Sequence, residues 1–122
     1  MDSRRFRRLV REAASTLPEA LLHRVENVSI VVHRRPTSEE LKMAGVPGGH
    51  ILLGLYTGVP LTARGTNYNL VPPDAIVIYQ EPIEDVCHTD DEIRDQVRKT
   101  VLHELGHYFG IDDSRLDELG LA

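Results

Sequence analysis

Apolar positions near the N-terminus recur at helical spacing. Phe6, Leu9, Val10, Ala13 and Leu17 share one face of a helix predicted over Ser3 to Leu17. Pro18 suits the first turn of a second short helix reaching about Arg24. The pattern then changes. Val28 to His33 is rich in β-branched residues and predicts a strand. Thr37-Ser38-Glu39-Glu40 reads as a capping box that opens a short helix to about Ala44. Gly45, Pro47, Gly48 and Gly49 predict a turn. Ile51 to Thr57 is a second strand, with Gly54 marking a bulge, a close backbone approach or relief of crowding against a helix. Val59 to Pro73 shows no periodicity and reads as a long loop that could line a cleft or act as a lid. Ala75 to Gln80 is apolar enough for a buried third strand, and Pro82 to Val86 fits one helical turn.

The longest periodic stretch comes last. Thr89-Asp90-Asp91-Glu92 is a second capping box, and a helix should follow to about Phe109. Ile93, Val97, Val101, Leu105 and Tyr108 form its apolar stripe. Ser114-Arg115-Leu116-Asp117 starts a terminal helix that closes at Gly120. This order of elements predicts an α+β fold, an α/β sandwich. A small mixed three-stranded sheet packs with the long helices in a single domain over residues 1–122.

Composition narrows the class. With 41% apolar and 27% charged residues, the 122-residue chain matches a soluble globular domain with one modest core. No apolar run approaches the roughly 18–20 residues that span a bilayer, so no membrane partner is expected. The Arg-rich N-terminus lacks a following apolar region, which points to a cytoplasmic protein without a secretory signal. Arg4, Arg5, Arg7, Arg8 and Arg11 read as a solvated helix face rather than an RNA or acidic-protein contact, because the net charge is −5 and no nucleic-acid partner is expected. The lone cysteine, Cys87, excludes an internal disulfide. Cys87 and His88 are adjacent, but neither has a partner at ligand spacing. Cys87 reads as a small buried apolar group, and His33 and His50 carry no ligand signal.

The candidate chemistry lies in the last predicted turns of the long helix. His103-Glu104-Leu105-Gly106-His107 is an H-E-x-x-H sequence, and it continues to Gly110 and Asp113. Residues four apart stand one above the other on a helix, away from the apolar stripe here, so His103 and His107 can both reach one metal ion. Glu104, beside the first histidine, is then free to serve as general base on a metal-activated water. Gly110 can end the helix in a left-handed turn, and Asp113 can complete a His-His-Asp set, with Asp112 the alternative if the turn is tighter. A fourth position left open is the mark of a catalytic zinc site. The competing reading is two solvated histidines with a salt-bridging glutamate. The whole pattern arises by chance in roughly one such sequence in ten thousand.

These residues resemble the zincin metallopeptidases. Asp113 in place of a third histidine is similar to the ligand set of snapalysin-like enzymes. The short chain and the Leu53-Gly54-Leu55-Tyr56-Thr57-Gly58-Val59-Pro60-Leu61 stretch resemble the bacterial minimal-zincin family of zinc peptidases. One departure from the metzincins is clear, since Met1 and Met43 both precede the motif and no Met-turn can follow it. The resemblance implies a Zn²⁺ cofactor and hydrolysis of peptide bonds. The substrate would be a peptide or protein, bound as an added strand along Ile51 to Thr57. Tyr56, Tyr68 and Arg64 are the candidates for stabilising an oxyanion. Two other functions fit the same residues. One is a non-catalytic, zinc-stabilised peptide-binding module. The other is a metal-dependent ribonuclease, against which Glu104, Asp113 and the acidic balance argue.

Overall fold

The computed structural model describes residues 1–18, 28–46, 51–58 and 74–109, with Tyr108 described by its backbone alone. Its elements are α1 (Ser3–Ser15), β1 (Val28–His33), α2 (Ser38–Met43), β2 (Gly54–Thr57), β3 (Asp74–Tyr79), α3 (Gln80–Val86) and α4 (Asp90–Tyr108). The strands form one mixed sheet in the order β1-β3-β2, β1 parallel and β2 antiparallel to β3. The fold is α+β, as the periodicity predicts. The expected helix after Pro18, the turn at 47–49 with His50, the loop at 59–73 and the terminal helix lie outside the described residues.

β3 is central because its sequence is apolar on both faces. Ile76 and Ile78 face α1 and α4 and join Phe6, Leu9, Val97, Val101 and Leu105 in the main core. Val77 and Tyr79 point the other way and pack with Leu55, under Ala44 and Leu52. Each fully buried large apolar side chain contributes about 1.5–3 kcal/mol. Ion pairs between α1 and α4, such as Arg5 with Asp90 at 2.7 Å, are exposed and screened by solvent, so they add little. The buried stripe of α4 therefore sets its position, and the arginines of α1 decorate the outer face. Arg5 and Arg8 there have acidic partners on the protein itself.

The caps form as the sequence predicts, with one change. Thr37 and Glu40 make a complete capping box, and Glu40 Oε2 also accepts a 2.6 Å hydrogen bond from the Tyr79 hydroxyl. At Thr89 the side chain accepts from Glu92 N, but Glu92 Oε1 accepts from His88 N and not from Thr89. Cys87 is buried in the main core, and burial pushes its thiol above the ordinary value. A metal binds thiolate, so this environment agrees with the apolar reading of Cys87.

Some boundaries differ. Gln80, expected to end the third strand, opens α3 instead, and α1 stops at Ser15 rather than Leu17. The strand expected from Ile51 begins at Gly54. Antiparallel register sets Gly54 against Ile78, and Tyr79 N donates to Leu53 O at 3.0 Å. Beyond Tyr79 the chain turns into α3, so Ile51 and Leu52 have no extended partner to pair with. Gln80 opens α3 fully buried, its amide satisfied by Met1 O, Glu84 and Ser3. Among the described residues, no helix is long and apolar enough to cross a membrane.

Candidate metal centre

The site is built where α4 passes the outer strand of the sheet. Ile93, Val97, Val101 and Leu105 are buried, which turns the opposite side of the last helical turns towards β2. Contact there is tight. A Cβ placed on Gly54 would clash with Thr100 Cγ2, so glycine lets β2 approach the helix one turn before His103. Of the readings that Gly54 invites, crowding against a helix is the one found.

His103 and His107 are each about a third exposed, while the Glu104 side chain is only 8% exposed between them. The imidazole rings meet edge to face with centroids 4.8 Å apart. One ligand atom from each of His103, Glu104 and His107 falls within 4.8 Å of the others. Glu104 Oε1 accepts the backbone N–H of Tyr56 at 2.7 Å and lies 3.4 Å from His107 Nδ1. Its Oε2 lies 3.9 Å from His103 Nε2. A buried carboxylate needs such donors. Two imidazoles converging beside a carboxylate are a donor set suited to zinc. Because Oε1 is held by β2, the carboxylate stands beside the paired imidazoles rather than swinging freely.

Two open cavities flank this cluster. One, about 420 Å³, is lined by Gln96, Lys99, Thr100, His103 and Glu104 with the start of β2. The other, about 370 Å³, runs past His107 to Met43, Ala44, Leu52 and Tyr56.

Residues 25–121 match the zincin-like metallopeptidase family. The chain belongs to that family. A solved structure of a conserved hypothetical protein from Thermo thermophilus shares its fold, with a TM-score of 0.54, 23% identity and 94% of each chain covered. Among curated proteins none matches the chain.

In this zincin-like chain, His103, Glu104 and His107 come together on one helix face, as their spacing predicts. Asp113, Asp112, Tyr68 and Arg64 lie outside the described residues. Tyr56 lines the second cavity, but its hydroxyl is buried, 3.1 Å from where a Cβ on Gly58 would sit. That Cβ would also clash with Asp74 Oδ1, and Gly58 has φ +136°, so only glycine fits between them. Sequence reasoning missed one feature of this zincin-like site, the Tyr56 N–H on Glu104, a backbone contact with no residue-type signal. It also missed the burial of Asp74, whose visible trace was an acidic residue opening an apolar strand.

Proposed function

We propose that the chain is a zinc-dependent metallopeptidase in which Glu104 is the general base. The carrying observation is the Glu104 carboxylate, buried between two converging imidazoles and fixed at one oxygen by Tyr56 N–H. His103 and His107 would hold the zinc with Asp113 as third ligand. Bound there, zinc would supply Lewis acidity to a water molecule and to the scissile carbonyl. Glu104 Oε2 takes the proton of the attacking water and later returns it to the leaving amide nitrogen. Tyr56 N–H keeps Oε1 occupied, so the free oxygen is the one that moves the proton. The peptide would lie along the outer edge of β2 as an added strand.

The test is Glu104→Gln. Glutamine keeps the shape and an oxygen for Tyr56 N–H but cannot take a proton. This variant should retain stoichiometric zinc by elemental analysis and an unchanged melting temperature, and lose about 10²–10⁴-fold in peptide cleavage. Equal cleavage rates for variant and parent would refute the proposal. Zinc-loaded parent protein that leaves a broad peptide library intact would favour the peptide-binding module instead.

A further inference from the structure

The sheet has a second edge, opposite the one beside the metal centre. β1 pairs with β3 along one side, and its other side has no strand partner among the described residues. Exposed strand edges are normally blunted by a charged residue, a proline or a bulge. β1 reads Val-Ser-Ile-Val-Val-His in unbroken register and carries no lysine, acidic residue, proline or bulge. A groove of about 400 Å³ follows this edge, lined by Arg7, Val10 and Arg11 of α1 and by residues 30–33. Successive side chains of a strand point to opposite faces, so four consecutive residues share a groove only where it runs along the edge. Ile30 and Val32 lean on the core beneath α1, and Val31 turns to the far face with Val77 and Tyr79. All three are only half-buried, which leaves apolar surface along the edge in contact with solvent.

The arginines of α1 are not alike. Arg5 and Arg8 pair with Asp90 and Glu12. Arg7 and Arg11 are exposed at the groove and form no ion pair among the described residues. They stand four residues apart, one turn and about 6 Å along the helix. Alternate residues of a strand recur on one face at about 6.7 Å. A strand added to β1 would therefore present alternate side chains to both arginines. In a molecule of net charge −5, two unpaired arginines beside an unguarded edge favour a partner that is extended and acidic. A second copy of the chain is disfavoured, because pairing β1 with β1 would bring two sets of these arginines together. Single-stranded nucleic acid stacks its bases on aromatic rings, and among the described residues no Phe, Tyr or Trp lines the groove.

We propose that the free edge of β1 docks an extended acidic segment of a partner protein. The segment adds a fourth strand and sets alternate Glu or Asp side chains against Arg7 and Arg11. This surface is separate from the metal centre, so it stands or falls independently of the peptidase reading. The probe is a fluorescein-labelled octapeptide alternating Glu and Thr. It is titrated by anisotropy at low salt, where screening is weakest, against the whole chain carrying Glu104→Gln to prevent cleavage. The peptide should bind, and a counterpart alternating Lys and Thr should not. Arg7→Glu with Arg11→Glu should weaken binding about tenfold or more, because two attractions become two repulsions. Both changes are at exposed positions, and an unchanged melting temperature checks that the fold is kept. An added strand offers only one of its two sides to β1. N-methylation at either the Glu or the Thr positions should therefore abolish binding, and at the other set leave it within about twofold. Failure of the Glu-Thr peptide to bind, parent-like binding by the double arginine variant, or full tolerance of both N-methylated sets would each overturn the proposal. Tighter, arginine-dependent binding of a single-stranded oligothymidylate would overturn it in favour of nucleic acid. A protein that sediments as a dimer and does not bind the peptide would assign the edge to a second copy instead.

Discussion

Gly54 shows how one residue sets the site. Its missing side chain is what lets β2 lie against α4 closely enough for Tyr56 N–H to reach Glu104. Gly54→Ala drives a methyl group into Thr100 Cγ2 and sets it 3.1 Å from the Val77 carbonyl oxygen. Overpacking of this kind costs about 1–3 kcal/mol. Thr100→Ser deletes that Cγ2 and keeps the hydroxyl that accepts from Gln96 Nε2 at 3.1 Å. Chemical denaturation should therefore show the Gly54→Ala loss substantially reduced in the double variant. Strictly additive losses would mean that backbone crowding against Val77, and not the threonine methyl, sets the limit.

Among the elements, α2 matters most for the far face of the sheet. Glu40 closes the helix cap with Thr37 and accepts from Tyr79, so a local helix signal and a buried phenol share one carboxylate. Burial pushes the Glu40 carboxyl up, but hydrogen bonds from Tyr79 and Thr37 outweigh it and hold the pKa below the ordinary value. Burial, then the bond to Glu40, holds the Tyr79 phenol well above its ordinary value. The signs follow by linkage. The lowered Glu40 contributes stability above its unfolded pKa and loses it as pH falls through the folded one. The raised Tyr79 contributes stability below its unfolded pKa and loses it as pH rises towards the folded one. Glu40→Gln should flatten the acid limb of a melting-temperature profile, and Tyr79→Phe the alkaline limb. An acid limb unchanged in Glu40→Gln would show that other carboxylates govern acid unfolding.

At the scale of the molecule, metal binding and folding should be linked, because His103 and His107 face one ion only while α4 is helical. Zinc at about 100 times its dissociation constant stabilises a one-site protein by about 2.7 kcal/mol. The melting temperature should rise with zinc in the parent and not in His103→Ala or His107→Ala. Asp113→Ala should lose far more of this rise than Asp112→Ala, since a supporting group outside the ligand set is worth about 10–100-fold in affinity. A parent-like rise in Asp113→Ala would remove it from the ligand set.

Much of this was legible in the chain itself, for a physical reason. Helical period, capping residues and β-branched runs are local, so α1, β1, α2, β3, α3 and α4 could be drawn to within a residue or two. The same locality put His103 and His107 on one face of a helix, since four residues make about one turn. What lay between elements could not be read this way. The start of β2 depended on where β3 turns into α3, and the hold on Glu104 came from a backbone N–H of Tyr56, 48 residues away in sequence. Backbone groups are alike at every residue, so no residue type announces which of them will meet a buried carboxylate. Local spacing determined which side chains share a helix face, and tertiary packing decided what that face would meet.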